Sequence, residues 1–172
     1  MKSYYIITLS LLLSSFILAE TKPNIILYVA DDFGRGSINA LGANKKFVNT
    51  PKLNKLIESG INFTNGFTTA SVCTPTRYTM LTGQYSWRTK LKKGVVNNSD
   101  PLIISPQTLT IGKMLQAQGY KTAAVGKWHL GLYKWGYTPT FRGFESFVGF
   151  YSGGEDYFKH TSDGAYDMHR DL

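Results

Sequence analysis

A short, continuous run of apolar residues constrains the fold of this chain more than any other feature. Residues 24–30 read NIILYVA, follow Pro23 and end at two aspartates. An unbroken apolar run of this length is typical of a strand that is covered on both faces, as in a parallel sheet flanked by helices. We therefore predict an α/β fold in which residues 24–30 form a buried strand.

A helix signal and another apolar stretch follow this run. Thr50 is a candidate cap, Pro51 suits the first helical position and Gly60 is a candidate stop. The apolar stretch 61–67 comes directly afterwards. This order predicts a helix over 51–59 that is followed by a second strand.

The same order of signals recurs later in the chain. A second predicted helix is capped by Ser105 or Thr108 and stops at Gly119, and residues 120–128 (YKTAAVGKW) follow as a strand. Strand, helix and strand in repeated order favour a mostly parallel sheet flanked by helices.

The first nineteen residues have the pattern of a secretory signal peptide. They contain one lysine, an apolar stretch too short to span a bilayer comfortably, and the small residue Ala19 at the end. We predict that 1–19 is a cleaved signal peptide, with an uncleaved membrane anchor as the alternative. The remaining chain, 20–172, then has no stable membrane span. An exported protein of this kind is periplasmic, secreted or lysosomal, depending on the host.

Charge and cysteine content narrow the possible partners. The net charge is +8, and the single Cys cannot form an internal disulfide. The basic residues are scattered in pairs such as Lys45–Lys46, without a zinc-knuckle, helix-turn-helix or aromatic nucleic-acid motif. We therefore exclude nucleic acid and expect an anionic small molecule or polysaccharide.

Two adjacent carboxylates follow the first apolar run. In open α/β sheets, ligands bind beyond the carboxyl ends of the strands, which is where Asp31 and Asp32 are predicted to lie. Paired carboxylates suit a hard cation such as Ca²⁺ or Mg²⁺. A solvated turn explains the same pair equally well, so the residues alone leave both interpretations open.

The only cysteine lies at a predicted helix start. In SVCTPTRYTMLTG, Thr74 is a candidate cap, Pro75 suits the first helical position and Gly83 is a candidate stop. Cys73 would precede the helix N-terminus, where N–H groups stabilise an anion, and Arg77 lies one turn further on. This context favours a reactive thiol over a buried structural cysteine.

A basic pair follows the later predicted strand. In an extended segment, Lys127 and His129 would share one face while Trp128 points to the other. Lys and His together can bind a tetrahedral oxyanion, and His can donate a proton to a leaving oxygen. Taken alone, the pair favours the interpretation as two cations on an edge strand.

These segments together resemble one family, the formylglycine-dependent sulfatases of the alkaline-phosphatase-like superfamily. The resemblance rests on KPNIILYVADDFGRG, VCTPTRYTMLTGQYSWR and LQAQGYKTAAVGKWHLG, which occur in the family's order. CTPTR followed by LTG, with GKWHLG downstream, is a specific combination. The segment GFYSGGEDYFKH looks most like the branch that includes N-acetylgalactosamine-4-sulfatase (arylsulfatase B).

The resemblance implies an alkaline-phosphatase-like fold and hydrolysis of sulfate monoesters, on a sulfated sugar or polysaccharide. Residues 20–172 would be the N-terminal part of the catalytic domain, because the family's later Asp and Asn metal ligands have no match here. We therefore expect a fold that is incomplete at its C-terminal end and a chain that needs the remainder of the enzyme for turnover.

The resemblance also implies the nucleophile and the metal. A formylglycine-generating maturation enzyme would oxidise Cys73 to formylglycine, and the hydrated aldehyde would attack sulfur. Asp31, Asp32 and the residue at position 73 would bind Ca²⁺, with Mg²⁺ as the alternative.

The remaining implied roles concern the substrate. Arg77 would hold the formylglycine, Lys127 and His129 would contact the sulfate, and Ser152 would approach the substrate. Thr76 departs from the family's CxPSR signature, in which this position is most often Ser, but it keeps the hydroxyl.

Two other functions remain open from the sequence. A phosphomonoester or phosphonate hydrolase of the same superfamily would act on an ester of the same tetrahedral geometry. A non-catalytic secreted protein could bind polyanions through its positive charge.

The polar C-terminal segment contains further metal-ligand residue types. His160, Asp163, Asp167 and His169 match no compact ligand spacing, so we interpret them as solvated loop residues.

Overall fold

The computed structural model describes residues 22–131, 134 and 136–171. The predicted signal peptide, 1–19, lies outside the described residues. The chain divides into two compact units, one ending at Asn54 and the other beginning at Lys55. Within the described ranges, no helix is both long enough and apolar enough to cross a bilayer.

Before Pro51, the described residues of the first unit form turns and irregular segments. Residues 24–30 form no strand in the described part of the chain, and Ile26 is 90% exposed. The prediction of a buried strand is therefore wrong here. A strand of this type needs paired neighbours and cover on both faces, and the described residues pair no strand with this segment. Two 3₁₀ turns follow, Arg35–Ser37 and Asn39–Leu41.

Hydrogen bonds between Asn39 and Thr50 close the loop that precedes the first helix, α1 (Pro51–Ser59). The Asn39 N–H donates to the Thr50 hydroxyl at 2.9 Å, and the Thr50 N–H donates to Asn39 Oδ1 at 2.8 Å. Pro51 and the stop before Gly60 agree with the predicted helix. Thr50 lies directly before α1, where the sequence predicts the cap. Its hydroxyl, however, bonds the side chains of Asn39 and Asn54.

The apolar stretch 61–67 is not a strand in the described structure. It contains a turn, and Phe67 is 90% exposed. The first predicted strand, helix and strand unit is therefore wrong in both of its strands, 24–30 and 61–67, and only its helix forms.

In the second unit, helix α2 (Cys73–Thr82) begins one residue earlier than its predicted cap. Val72 is the extended residue before the helix, so Thr74 is not the cap. Gly83 ends the helix as predicted, with a left-handed φ of 68° and an N–H that donates to Thr79 O at 2.8 Å.

Helix α3 (Ile111–Ala117) is capped by Thr110, whose hydroxyl accepts a hydrogen bond from Lys113 N–H. The predictions of Ser105 or Thr108 as the cap are therefore wrong. Thr110 lies directly before the first helical residue, where its hydroxyl reaches the third N–H of the helix. The helix ends before Gly119, as predicted.

Five short strands form two sheets in the described residues. They are β1 (Ala123–Lys127), β2 (Ser146–Phe150), β3 (Thr161–Ser162), β4 (Ala165–Tyr166) and β5 (His169–Arg170). The larger sheet has the order β1-β2-β5, with β1 parallel to β2 and β2 antiparallel to β5. The smaller sheet pairs β3 with β4. The α/β prediction is confirmed, and the sheet is mixed rather than wholly parallel.

The core joins α2 to the strand ends of the larger sheet. Tyr78 from α2 packs in one buried cluster with the residues that follow β1 and with side chains from β2 and beyond it. The members of this cluster are Tyr78, Ile104, Trp128, Leu130, Phe147 and Tyr151. This packing fixes the start of α2 next to the carboxyl ends of β1 and β2.

Candidate active site

Cys73 is the first residue of α2 and its side chain contacts a lysine from the end of β1. The Lys127 Nζ donates a hydrogen bond to Cys73 Sγ at 3.1 Å. Cys73 is partly exposed, so it is not a structural core cysteine. The N–H groups of the first helical turn and Lys127 Nζ are hydrogen-bond donors beside this side chain.

Arg77 joins the same group from one turn further along α2. Its Nη1 donates to the Lys127 carbonyl oxygen at 2.6 Å. The structure therefore brings together Cys73, Arg77 and Lys127, three of the residues proposed from the sequence, at the start of one helix.

His129 lies next to this group but is held differently from the prediction. Strand β1 ends at Lys127, and His129 has a left-handed φ of 52°, so the regular alternation that would place both side chains on one face is broken. The imidazole is buried, and its Nε2 lies 3.0 Å from the carbonyl oxygen of Val96.

A buried threonine connects His129 to α2. The Thr74 hydroxyl donates to the His129 carbonyl oxygen at 3.0 Å and accepts from the Val96 N–H at 3.1 Å. Thr74 is fully buried. A left-handed backbone at a non-glycine residue costs on the order of 1–3 kcal/mol. The hydrogen bonds of Thr74 hold the His129 backbone in this conformation.

The segment 151–154 covers His129 from the end of β2. The Ser152 side chain is buried, and its hydroxyl donates to the Gly154 carbonyl oxygen at 2.9 Å. A Cβ at Gly153 would lie 2.7 Å from the imidazole Cε1, so this backbone packs directly on the ring. Ser152 thus lies beside the site, and its contact with substrate stays a prediction.

Asp167 is fully buried, so its interpretation as a solvated loop residue is wrong. Its carboxylate accepts hydrogen bonds from the N–H groups of Tyr151 and Ser152, and it lies 2.9 Å from His169 Nε2. These partners compensate for the lost hydration of the carboxylate. The interpretation is also wrong for His169, which lies in β5 with a side chain only 16% exposed, whereas Asp163 is exposed as expected.

Tyr151 connects Asp167 to the core. Its ring stacks on Phe147 at 5.4 Å and on His169 at 4.0 Å between centroids. Burial, and secondly the nearby Asp167 carboxylate, raise the pKa of Tyr151 above 10.0. Both effects disfavour the phenolate.

Asp31 and Asp32 lie in the first unit, directly after the irregular segment 24–30. Both are exposed, and Asp32 has a left-handed φ of 53°. Within the described ranges, no group of three or more His, Cys, Asp or Glu side chains could hold a metal ion. Carboxylate oxygens suit Ca²⁺, which takes six to eight oxygens. The pair therefore fits part of a calcium site and supplies fewer ligands than a complete one.

Comparison with known proteins identifies the family. A family model described as Sulfatase matches residues 23–170. This chain belongs to the sulfatase family. The match confirms the resemblance drawn from the CTPTR and GKWHLG segments and covers almost all of the described residues.

The relatives of this sulfatase chain include proteins from bacteria and mammals. It is 44% identical over 64% of its length to an N-acetylgalactosamine-6-O-sulfatase of Bacteroides thetaiotaomicron, covering 21% of that protein. It is 38% identical over 83% of its length to arylsulfatase A of Bos taurus, covering 28% of that protein. The chain thus spans about a quarter of the length of these curated relatives.

Solved structures support the same family and fold. The chain matches the structure of Ps i-CgsB in complex with k-i-k-neocarrahexaose, with a TM-score of 0.74 and 31% identity, over 83% of this chain and 31% of the other. The alkaline-phosphatase-like fold predicted from the sequence is therefore confirmed, with a partial α/β domain in this chain. The assignment to the arylsulfatase B branch stays a prediction.

Proposed function

We propose that the protein containing this chain hydrolyses sulfate monoesters at a site built around position 73. The observation that supports this proposal most is the 3.1 Å contact between Lys127 Nζ and Cys73 Sγ at the start of α2. A cation and the N-terminal end of a helix at one side chain suit a nucleophile that acts on an oxyanion.

We propose that Cys73 is converted to formylglycine by a maturation enzyme. The partly exposed side chain at the helix start, facing a lysine donor, fits such a group. The hydrated aldehyde would supply one hydroxyl as nucleophile and a second for the release of sulfate.

Lys127 and Arg77 would supply the positive charge of the site. Lys127 Nζ donates toward position 73 and can hold a sulfate oxygen close to that side chain. Arg77 binds the Lys127 carbonyl oxygen, so it fixes the end of β1 relative to α2 and adds a second positive charge.

His129 would contact the sulfate or donate a proton to the leaving oxygen. Its backbone is fixed through Thr74, the residue after Cys73, so the imidazole is tied to the same helix start. A fixed imidazole keeps its distance from the reacting group constant, which general acid catalysis requires.

Asp31 and Asp32 would bind Ca²⁺, with Mg²⁺ as the alternative, together with the modified residue 73. The support is the chemistry of adjacent carboxylates directly after the segment 24–30. The ion would supply positive charge that polarises a sulfate oxygen.

The substrate we propose is a sulfated glycan. Two relatives support this class: one is named as an N-acetylgalactosamine-6-O-sulfatase, and one was solved with a neocarrahexaose. The net charge of +8 favours a polyanionic substrate over a neutral one. Export through the predicted signal peptide would bring the protein to such glycans.

The first test is the chemical state of position 73. Mass spectrometry of the peptide that contains Cys73, from protein made in its native host, should show an aldehyde in place of the thiol. A peptide that carries only the thiol would contradict the proposed nucleophile.

The second test is activity on matched aryl esters. The Cys73→Ala variant should lose sulfate-ester hydrolysis, whereas Thr82→Ala, at the other end of α2, should keep it. A strong preference for phosphate esters would instead favour a phosphohydrolase, and salt-sensitive polyanion binding that is indifferent to Cys73→Ala would favour a non-catalytic binder.

A further inference from the structure

The segment 151–154 is fixed at its start by the continuation of the parallel ladder. Beyond the ends of β1 and β2, Trp128 N–H donates to the Phe150 carbonyl oxygen at 2.9 Å and His129 N–H donates to the Tyr151 carbonyl oxygen at 3.0 Å. The backbone of His129 and the start of this segment therefore move as one unit.

The segment then contacts the imidazole itself. At Gly153, a Cβ would lie 2.7 Å from His129 Cε1 and 2.8 Å from Nε2, closer than real Cβ contacts. The ring can keep its position only while residue 153 has no side chain and its backbone stays where it is. The next residue, Gly154, has open space around it.

Asp167 also fixes the backbone of this segment. Oδ1 accepts from the Tyr151 N–H at 3.2 Å and Oδ2 accepts from the Ser152 N–H at 2.9 Å. Each carboxylate oxygen thus holds one of two successive N–H groups. His169 Nε2 lies 2.9 Å from Oδ1 and fixes the carboxylate in turn.

We propose that Asp167 is a positioning residue for His129. Its carboxylate holds the N–H groups of Tyr151 and Ser152, so that the Gly153 backbone keeps the imidazole in place for sulfate-ester hydrolysis. The catalytic consequence rests on the function proposed above, whereas the effect on the position of the ring does not.

Asp167→Asn is the direct test because both carboxylate oxygens are used. The carboxamide keeps one acceptor and replaces the other with an NH₂ donor, so the N–H of either Tyr151 or Ser152 faces a donor. We expect kcat to fall about 10- to 100-fold through misplacement of the imidazole, with a smaller change in KM.

Asp156→Asn is the matched control in the same part of the chain. Asp156 also accepts two backbone N–H groups, from Phe158 at 2.9 Å and Lys159 at 3.0 Å, but both go to Oδ1. Asn retains that acceptor, and Asp156 is exposed. This variant should keep the activity of the unsubstituted protein.

A second pair of variants tests the contact without changing Asp167. Gly153→Ala should displace the imidazole and lower kcat, whereas Gly154→Ala, with nothing within 4 Å of the added Cβ, should not. This pair also decides the question if Asp167→Asn does not fold. Equal activity of the two alanine variants would overturn the proposal.

Two measurements separate positioning from a general structural role. In a His129→Ala background, Asp167→Asn should cause little further loss of kcat/KM; the same loss as in the unsubstituted protein would overturn the proposal. NMR of labelled imidazoles identifies the His129 signals by their loss in His129→Ala.

The NMR measurement does not depend on turnover. The His129 imidazole signals should shift in Asp167→Asn and in Gly153→Ala but not in Asp156→Asn or Gly154→Ala. Unchanged His129 signals in Asp167→Asn would overturn the positioning role. If the unsubstituted protein hydrolyses no sulfate ester, the proposed function fails, while the imidazole signals still decide the role of Asp167.

Discussion

The Lys127 ammonium group lies 3.1 Å from Cys73 Sγ, although 54 positions separate the two residues in the sequence. The contact places a full positive charge at the side chain that opens α2. Because Arg77 binds the Lys127 carbonyl oxygen at 2.6 Å, the lysine backbone is held against the same helix. The lysine side chain thus reaches position 73 from a backbone that is bonded to the same helix.

Lys127→Met should remove that charge while keeping the length of the side chain. We expect kcat/KM for sulfate esters to fall by about 10²–10³, the range for loss of one donor to a developing oxyanion. The measurement is steady-state kinetics on an aryl sulfate. Lys121→Met is the control, since the Lys121 side chain is 92% exposed, and an equal loss there would contradict a specific role for Lys127.

Thr74→Val should destabilise the protein because it removes a buried hydroxyl group that makes two hydrogen bonds. The Thr74 hydroxyl bonds both His129 O and Val96 N–H, and valine would leave that N–H without this acceptor. The expected cost is about 1–3 kcal/mol in the free energy of unfolding, measured by urea denaturation. Thr68→Val, at an exposed site, should change it little; equal effects would argue against the bridging role.

Stability should fall at alkaline pH because of Tyr151. Burial and Asp167 raise the pKa of Tyr151 in the folded protein above its usual 10.0. Above pH 10 the unfolded chain loses this proton first and binds fewer protons, so the free energy of unfolding decreases as pH rises through the folded pKa. Below pH 10 this contribution is fully present.

Tyr151→Phe should flatten that alkaline decrease. Urea denaturation between pH 7 and pH 11 measures it, with Tyr157→Phe as the control because Tyr157 is 75% exposed. An alkaline decrease of unchanged slope in Tyr151→Phe would show that other groups cause it.

Metal removal should lower both activity and thermal stability. A chelator should reduce sulfate-ester hydrolysis, and Ca²⁺ should restore it at lower concentration than Mg²⁺. Asp31→Asn and Asp32→Asn should each weaken Ca²⁺ binding measured by calorimetry, because each removes a negative charge from the ligands. Asp100→Asn, which neutralises a carboxylate outside the proposed site, should bind Ca²⁺ as before, and equal weakening there would contradict the assignment.

Local signals in the sequence predicted α2 and β1 well. Pro75 favoured a helix near its start, Gly83 supplied the left-handed residue that ends it, and 120–128 contained the strand Ala123–Lys127. These features depend on neighbouring residues, so a sequence pattern can report them. The resemblance implies that Lys127 contacts the sulfate that position 73 attacks, and the spacing of the residues does not itself predict the contact between Lys127 and Cys73.

Features that depend on distant residues were not predicted. Residues 24–30 have the composition of a strand, but strand formation depends on paired neighbours that a local pattern does not report. Asp167 was interpreted as solvated because its surroundings in sequence are polar. Its burial depends on N–H groups 15 and 16 positions earlier, at Ser152 and Tyr151.

The separation of 54 positions between Cys73 and Lys127 has a consequence for synthesis of the protein. Ribosomes add about 5–20 residues per second, so Cys73 is synthesised roughly 3 to 11 s before Lys127, which contacts it in the folded chain. During this interval the cysteine is part of a nascent chain without that partner. The maturation enzyme proposed above would therefore meet position 73 in a chain that does not yet contain the lysine.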